Sequence, residues 1–345
     1  MSTENDIEVS VLCLVYNHEK TVERCLHSLL NQKTSFKYEV IVHDDCSSDN
    51  SVNLIKQLEE RYYPKLVPIY QKENQYSKGI SITEDIFTQV AKGKYYAICE
   101  GDDYWCDENK LQLQFDFMEN HPTTSLCTHN TRIHFLNSNR KDTLFNNWDN
   151  IHFLDEYDVF KDWKVHTSSY FYRKEYMHRP EFARKYYFGD YTMLTNFFSK
   201  GDVVCLPNIM SVYNAGNNNG VVYANYNSGS EKAIKAIVSE KDYLTRFDDF
   251  TNGKYHHVIS QCISLCDIKL LRQKYNVALQ EGNFREVKKI SNEIYNHPSF
   301  AFYLKGESKK NIIFSTIKYR YCGMYYGYYT FMTFLKSLFL FGYNK

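Results

Sequence analysis

The sequence predicts an α/β fold in which a doubly wound, mainly parallel sheet is flanked by helices and followed by a helical C-terminal extension. Strand and helix patterns alternate over the first ~125 residues, which predicts parallel strands joined by right-handed crossovers. Val9 to Val15 is a nearly continuous apolar run, as a strand covered on both faces requires. We therefore divide the chain into an α/β domain, residues 1–225, and a helical region, residues 226–345.

The elements of the α/β domain follow one another at short intervals. Four apolar segments predict strands at residues 9–15, 38–43, 66–70 and 95–99. Apolar residues at helical spacing predict helices at residues 19–32, 51–62 and 110–119. Ser81-Ile82-Thr83-Glu84 has the spacing of a capping box, which predicts a further helix ending near Gly93.

From residue 125 to residue 213 the pattern is mixed. It predicts a helix at residues 190–199 and strands at residues 125–135, 168–173 and 202–206. Asn214 to Gly229 is rich in Asn and Gly, the composition of a mobile loop, which is either a lid over a ligand or a plain surface loop. Residues 230–297 predict helices with one mostly polar face.

Composition and charge exclude several classes of function. The 345-residue chain has 41 Lys and Arg against 41 Asp and Glu, so we predict no nucleic-acid partner. Ten cysteines without a Cys-x-x-Cys pair, and a polar N-terminus without an apolar signal segment, predict free thiols and a cytoplasmic location. Neither GxGxxG nor GxxxxGK[ST] occurs, which argues against dinucleotide oxidoreductases and P-loop NTPases.

The C-terminal segment, Phe302 to Lys345, is basic and aromatic. It carries seven Lys or Arg and one Glu, and its longest uncharged run is Tyr321 to Leu335. That run is too short and too polar for a membrane span, which needs about 20 apolar residues. Two interpretations stay open, namely an amphipathic helix lying peripherally on the inner face of the plasma membrane, or a helix packed on the main domain.

Three polar clusters follow strands whose carboxyl ends share one edge of the predicted sheet. They are Tyr16-Asn17-His18-Glu19, Asp44 to Asp49, and Glu100-Gly101-Asp102-Asp103-Tyr104-Trp105. Ligands of open α/β sheets bind beyond these strand ends, where the strand order reverses. Each cluster alone has an ordinary explanation, because Asn, Ser and Asp suit turns and helix caps. Three clusters at one sheet edge favour a ligand site.

The adjacent carboxylates of Asp102 and Asp103 destabilise the fold when no ligand is bound, because like charges repel and neither carboxylate is readily buried. A divalent cation removes this cost, and hard oxygen ligands suit Mn²⁺ or Mg²⁺. The pair therefore predicts a Mn²⁺ or Mg²⁺ ion held against a phosphorylated ligand.

These residues resemble the family 2 glycosyltransferases of the GT-A fold over about residues 8–215. The resemblance is carried by Val9-Ser10-Val11 with Tyr16-Asn17, by Val42 to Asp49, by Glu100-Gly101-Asp102-Asp103, and by Phe188-Gly189-Asp190-Tyr191. The form Glu-Gly-Asp-Asp-Tyr-Trp is similar to bacterial members that build surface polysaccharides. The chain departs from the family pattern at three positions, since an aliphatic residue, a glycine and a glutamate are commoner at His43, Cys46 and Gly189.

The resemblance implies a nucleotide-sugar site at the strand ends. Asp45 matches the aspartate that hydrogen-bonds the donor's pyrimidine imide, and Tyr16 with the backbone near Leu14 matches the wall stacking on the base. Asp102 matches the acid near the ribose and sugar. The residues predicted to bind the nucleotide-sugar are Leu14, Tyr16, Asn17, Glu19, Asp45 and Asp102.

The resemblance also implies that Asp103 is the metal ligand bridging the diphosphate and that Asp190 is the catalytic base. Asp190 opens a predicted helix, whose dipole we expect to lower the pKa of its carboxyl group. Such a base contributes about 10²–10⁴-fold to the rate, and single displacement inverts the anomeric configuration.

Three aromatic residues are candidate sugar or acceptor contacts. Tyr104 and Trp105 provide an apolar face under a sugar ring, or else they are core aromatics. His166 precedes a predicted strand and reaches the donor phosphate or the acceptor, or else it is an ordinary buried histidine.

The resemblance thus implies a metal-assisted, inverting glycosyltransferase of the hexosyltransferase type. We expect a UDP-sugar donor and a glycan or lipid-linked glycan acceptor in bacterial surface polysaccharide synthesis. One alternative is a sugar-nucleotide nucleotidyltransferase, although Tyr16 to Glu19 offers no glycine-rich basic loop. A non-catalytic glycan- or nucleotide-binding scaffold is the other alternative.

Overall fold

A computed structural model of the chain describes residues 7–136, 138–216, 231–305, 309–330 and 332. The chain divides into two compact units, Met1–Asn218 and Asn219–Lys345. The domain boundary predicted at residue 225 lies outside the described residues.

The first unit is built on one mixed sheet flanked by helices. Its strands are Val9–Val15 (β1), Tyr38–Asp44 (β2), Leu66–Tyr70 (β3), Tyr95–Glu100 (β4), Tyr104–Trp105 (β5), Thr124–Phe135 (β6), Thr143–Leu144 (β7), His152–Phe153 (β8), Phe171–Arg173 (β9) and Asp202–Ala215 (β10). Its α-helices are Val22–Leu30 (α1), Ser51–Tyr62 (α2), Thr88–Val90 (α3), Lys110–Asn120 (α4), Glu156–Phe160 (α5) and Gly189–Lys200 (α6). The predicted α/β class with a mainly parallel sheet is confirmed.

The strand order β3-β2-β1-β4-β9-β6-β10-β5 contains a topological switch. β3, β2, β1 and β4 are parallel to one another, whereas β9 is antiparallel to both β4 and β6. The chain leaves β1 toward β2 and β3 on one side and returns to β4 on the other side. The crevice beyond the carboxyl ends of β1 and β4 is therefore where this topology favours a ligand.

The apolar runs predicted as strands lie in the centre of the core. All of β2 and all of β1 except one residue are buried. The buried faces of α1 and α2 include Val22, Leu26, Leu29, Ile55 and Leu58. Full burial of each such side chain contributes about 1.5–3 kcal/mol. This core determines where the strands end, and so it positions the polar clusters that follow them.

The prediction for the end of the first unit was wrong. β10 continues to Ala215, whereas the sequence predicted a strand ending at Leu206 and a loop beginning at Asn214. The pairing of β10 with β6 shifts register between Leu206 and Ile209, and Pro207 lies in that irregular stretch. Such an interruption breaks the apolar pattern without ending the strand. The rest of the predicted loop, residues 217–230, lies outside the described residues.

The predicted capping box at Ser81 was also wrong. A π-helical segment, Ile82–Phe87, leads into α3. The Ser81 hydroxyl donates to the Glu84 carboxylate at 3.0 Å, and the Ser81 N–H donates to Asp85 at 3.1 Å. Glu84 does not cap this segment, because its carboxylate is engaged by a buried arginine, Arg179.

The second unit is helical, as predicted. Its helices are Glu231–Phe250 (α7), His256–Gln280 (α8), Phe284–Tyr295 (α9), Phe300–Leu304 (α10) and Lys309–Arg320 (α11). Its apolar core includes Ile268, Tyr275, Ile290, Phe300 and Tyr319. Among the described residues, none of the helices has the length and apolar character needed to cross a membrane.

Candidate active site

The loops that follow β1 and β2 are joined by hydrogen bonds. Asn17 adopts a left-handed φ of 56°, its N–H donates to Ser47 Oγ at 2.9 Å, and its Oδ1 accepts the Ser48 N–H at 2.8 Å. The Glu19 carboxylate accepts the Asn50 N–H at 3.0 Å. The side chains of Asn17 and Glu19, both predicted to bind the nucleotide, thus hold the two loops together.

Asp45, which directly follows β2, holds the chain segment at Gln75 and Tyr76 beside these loops. Its carboxylate is buried, and its two oxygens accept the N–H groups of Gln75 at 2.7 Å and Tyr76 at 3.0 Å. The neighbouring Asp44 is also buried and accepts the Ser47 N–H through Oδ2 at 3.0 Å. Asp44 Oδ1 has no hydrogen-bond partner within the described residues. Asp44 is therefore a second acceptor at this position, which the sequence did not single out.

The turn that carries the aspartate pair packs against the end of β1. The Leu14 carbonyl accepts the Gly101 N–H at 2.7 Å. A Cβ at position 101 would lie 2.9 Å from a Val15 methyl carbon and 2.7 Å from His18 Nδ1, so this contact requires glycine. Tyr16 follows directly and is 48% exposed, which leaves its ring accessible to a base.

Asn214, at the end of β10, holds the turn formed by Asp102 and Asp103. Its N–H donates to Asp103 Oδ1 at 2.9 Å, and its side-chain amide donates to the Asp102 carbonyl at 2.6 Å. Asp103 is only 2% exposed, whereas the Asp102 side chain is 21% exposed. Asp102 is thus the more accessible of the two carboxylates.

Four carboxylates collect at this edge, and the charges of their neighbours raise the pKa of two of them, Glu100 and Asp103. Burial, followed by the charges of Asp102 and Asp190, raises the pKa of Glu100 to about 8. Burial, followed by the charges of Asp102 and Glu100, raises the pKa of Asp103 well above its ordinary value. Burial also raises the pKa of Asp190 and outweighs the hydrogen bond from the Tyr191 N–H. The predicted lowering of the Asp190 pKa by the helix dipole was therefore wrong.

The donor set fits a divalent cation shared with a ligand. A nearby cation favours ionised carboxylates, which offsets the repulsion that raises these pKa values. The described residues contain no cluster of three or more His, Cys, Asp or Glu side chains that would hold a metal alone. Mg²⁺ and similar ions are commonly held by one or two carboxylates together with substrate phosphates. Asp102 and Asp103 meet that requirement.

Tyr213 and Tyr76, which belong to none of the sequence motifs, lie close enough to these carboxylates to be affected by their charge. Burial raises the pKa of Tyr213 to about 12, and the charges of Asp103, Asp102, Glu100 and Asp190 add to this effect. Burial also raises the pKa of Tyr76, with further contributions from Glu100 and Asp190. Both phenols therefore lie in the field of the carboxylates. No sequence pattern indicated a role for Tyr76, and for Tyr213 the sequence offered only its position directly before Asn214.

The aromatic candidates differ in accessibility. Trp105 is 3% exposed and its indole N–H donates to a backbone carbonyl at 2.9 Å, which is the arrangement of a core aromatic. Burial lowers the pKa of His166 to about 3, so it is neutral although its Nδ1 lies 3.7 Å from an Asp103 oxygen. Tyr104 is partly exposed, and the Arg24 guanidinium covers its ring at 3.4 Å from the centroid.

Arg179 anchors the helix that carries Asp190. Its Nη1 donates to Thr192 Oγ1 at 2.7 Å in the first turn of α6, and its Nη2 donates to Glu84 Oε2 at 2.8 Å. Burial alone raises the pKa of Glu84, but the hydrogen bonds and charge of Arg179 hold it below its usual value. Sequence reasoning missed this pair because its members lie 95 residues apart.

Residues 10–179 match the model of the family described as "Glycosyl transferase family 2". An uncharacterised protein of Mycobacterium tuberculosis is 34% identical over 125 residues, which are 36% of this chain and 35% of that protein. The UDP-Glc:alpha-D-GlcNAc-diphosphoundecaprenol beta-1,3-glucosyltransferase WfaP of Escherichia coli is 32% identical over 111 residues, which are 32% of this chain and 41% of that protein. The chain thus matches less than half of the length of these relatives.

Solved structures share the fold at low sequence identity. S. aureus TarS superposes with a TM-score of 0.53 and 15% identity, over 84% of this chain and 48% of that chain. The mannosyltransferase PcManGT from Pyrobaculum calidifontis, solved with GDP-Man and Mn²⁺, gives a TM-score of 0.50 and 14% identity over 91% and 85% of the two chains. These likenesses confirm the predicted GT-A fold class.

Proposed function

Because residues 10–179 belong to the family 2 glycosyltransferases, we propose that this chain is a metal-assisted, inverting glycosyltransferase. It transfers a sugar from a UDP-sugar to a glycan or lipid-linked glycan in the synthesis of a bacterial surface polysaccharide. The observation that carries this proposal is the group of mutually interacting carboxylates, Glu100, Asp102, Asp103 and Asp190, next to the β1–β4 switch point.

The choice of donor and acceptor is supported by the relative WfaP, whose name gives a UDP-glucose donor and a diphosphoundecaprenol-linked acceptor. In this chain the half-exposed ring of Tyr16 offers a stacking surface for the uracil. Asp45 or Asp44 accepts the imide N–H of the base. Both Asp45 oxygens already accept backbone N–H groups, whereas Asp44 Oδ1 has no hydrogen-bond partner within the described residues, so either aspartate is a candidate for this contact.

In this proposal Asp103, together with the more accessible Asp102, would hold Mn²⁺ or Mg²⁺ next to the donor diphosphate. The ion, when bound, neutralises charge on the departing diphosphate. Asn214 holds the Asp103 carboxylate and the Asp102 backbone carbonyl, so the turn that carries both acids is held by β10. The Tyr213 hydroxyl, which borders the acids, donates a hydrogen bond to an oxygen of the donor.

Asp190 is the proposed base. Its carboxylate accepts the proton of the acceptor hydroxyl as that oxygen attacks the anomeric carbon, and the bond from this carbon to the diphosphate oxygen breaks on the opposite face. Burial raises the pKa of Asp190, which makes the carboxylate a better proton acceptor, and hydrogen bonds from backbone N–H groups together with the charge of Arg179 limit the rise. One displacement of this kind inverts the anomeric configuration.

A donor panel tests the proposal directly. The purified chain, supplied with Mn²⁺ or Mg²⁺, should release UDP from one or a few UDP-sugars, and EDTA should stop the release. Asp103→Asn should abolish the release and weaken metal-dependent UDP binding, whereas Asp116→Asn, an exposed carboxylate on α4, should change neither. Tight UDP binding without turnover on any donor would contradict the proposal and favour a binding scaffold.

We also propose that the chain works in the cytoplasm. All ten cysteines are free thiols, which is usual for proteins of a reducing compartment. Alkylation of the protein in its native cells, followed by mass spectrometry, should find ten reduced cysteines. Recovery of a disulfide would place the chain in an oxidising compartment instead.

A further inference from the structure

The last described helices of the second unit are apolar on two opposite faces. α11 and the helical residues 322–330 bury Tyr319 and Cys322, and Tyr325, Tyr326 and Tyr329 pack against the apolar core. On the other side, a second set of apolar residues is between 39% and 71% exposed. This outer stripe consists of Ile313, Phe314, Ile317, Tyr321, Met324 and Tyr328.

A contiguous exposed apolar patch rimmed by polar residues commonly marks a site of interaction with a protein or a membrane. Ile313, Ile317 and Tyr321 follow one another at intervals of four residues, so they lie one above the other on the same side of the helix. The inner face of α11 is covered by the second unit itself. The outer stripe, which the second unit leaves exposed, is therefore a candidate interaction surface.

The charges beside the outer stripe indicate what that surface is. Lys309 and Lys310 precede the stripe, Arg320 lies within its span, and all three are exposed. Across residues 302–345 the chain carries seven Lys or Arg against one Glu. Exposed apolar and aromatic side chains flanked by basic groups match a bilayer surface that contains anionic lipid, where acyl chains and phosphate groups lie a few ångströms apart.

We propose that the outer stripe binds peripherally to the surface of a bilayer containing anionic phospholipid. Ile313, Ile317 and Met324 enter the boundary between headgroups and acyl chains, while Lys309 and Lys310 contact lipid phosphates. The inner face, with Tyr319 buried, stays packed on the second unit throughout. Binding of this kind does not depend on glycosyl transfer, and it brings the chain to the surface where a lipid-linked acceptor would lie.

Vesicle binding by the full-length chain tests this inference without any donor or acceptor. The chain should co-sediment with vesicles of phosphatidylcholine and phosphatidylglycerol, weakly or not at all with phosphatidylcholine alone, and less as salt is added. Ile317→Glu combined with Met324→Glu should weaken binding by at least about tenfold. Lys309→Glu combined with Lys310→Glu should weaken it by at least about 25-fold, because each basic residue contributes about fivefold.

A matched control separates the stripe from exposed apolar residues in general. Val238 on α7 is 51% exposed, so Val238→Glu makes the same kind of change on another helix of the unit and should leave vesicle binding unchanged. Circular dichroism and the unfolding midpoint should match those of the unmodified chain, and Ile317→Ser with Met324→Ser gives a milder pair if the glutamates disturb the helix.

Three results would overturn the inference. The first is no binding of the unmodified chain to anionic vesicles, and the second is equal binding by folded stripe variants. The third is a dimer, seen by light scattering, that Met324→Glu dissociates, because the stripe would then be covered by a second copy of the chain.

Discussion

Asn214 donates its backbone N–H to Asp103 Oδ1 at 2.9 Å, across 111 residues of sequence. Its side-chain amide donates to the Asp102 carbonyl at 2.6 Å. The end of β10 therefore holds the turn that follows β4. A strand far away in the sequence therefore holds the Asp103 carboxylate and the backbone of Asp102, the two residues proposed to hold a metal.

Asn214→Ala should weaken Mn²⁺-dependent UDP binding about fivefold, since it removes one neutral hydrogen bond of about 1 kcal/mol and keeps the backbone donor to Asp103. Titration calorimetry with UDP and Mn²⁺ measures the change. Asn208→Ala, at an exposed position of the same strand, should leave the affinity unchanged. Equal losses in the two variants would show that Asn214 has no special role.

The free energy of unfolding of the metal-free protein should depend on pH through the ionisation of Glu100. Its pKa is about 8 in the folded chain and near 4.5 when unfolded, so between these values the folded state binds more protons. The free energy of unfolding contributed by this group therefore falls as pH rises from about 5 to 8. Urea unfolding of the unmodified chain and of Glu100→Gln, in EDTA, measures this contribution as the difference between them.

The comparison with Glu100→Gln is needed because the ionisation of other buried groups changes the stability with pH in the opposite direction. Burial lowers the pKa of His166 to about 3 and that of Lys110 to about 7, so both add stability as pH rises through their own ranges. Added Mn²⁺ should stabilise the unmodified chain more at about pH 8 than at about pH 5, because the carboxylates must be ionised to bind it. A pH-independent difference from Glu100→Gln would contradict the prediction.

Asp190→Asn should lower kcat by about 10²–10⁴-fold and leave UDP affinity unchanged. Burial raises the pKa of Asp190, so the acidic limb of the pH profile of kcat/KM should lie above the ordinary aspartate range, near 3.9. Product formation and calorimetry on the same preparation separate the two effects. Full activity in Asp190→Asn would mean that another group takes the proton.

The parts of this molecule that were predictable from sequence are local ones. Val9–Val15 is a nearly continuous apolar run and Tyr38–Asp44 has an apolar centre, and the polar residues after them had to lie at one sheet edge once the strands were parallel. The family resemblance and the α/β fold were predicted from the same segments and are confirmed. The residues that bind the donor and the proton acceptor stay predictions.

The parts that were not predictable depend on contacts between distant segments. No spacing rule connects Asn214 to Asp103 or Arg179 to Glu84, because the sheet order that joins them is a property of the whole unit. The predicted direction of the Asp190 pKa shift was wrong for a related reason, because a helix dipole can be inferred from the local sequence but burial cannot.

Arg179→Met should destabilise the chain by about 3–5 kcal/mol, because it leaves the buried Glu84 carboxylate without its main partner. Arg184 Nε lies 3.3 Å from the same carboxylate, so we expect the lower end of that range. The double variant Glu84→Leu, Arg179→Met should recover most of the loss, since no buried charge remains. Urea unfolding of both variants measures the coupling, and additive losses would contradict it.

Cys46→Gly should stabilise the chain by about 0.5–1 kcal/mol. Cys46 adopts a φ of 65°, a left-handed conformation that costs a residue with a Cβ roughly 1–2 kcal/mol, whereas glycine adopts it freely and loses about 0.5–1 kcal/mol of chain entropy. Cys106→Gly is the matched control, because Cys106 is exposed and is not among the residues with positive φ, so glycine there should destabilise. Thermal and urea unfolding measure both variants. If both glycines destabilise the chain equally, the left-handed conformation at Cys46 is not a source of strain, and the glycine common at this position in the family serves the ligand rather than the backbone.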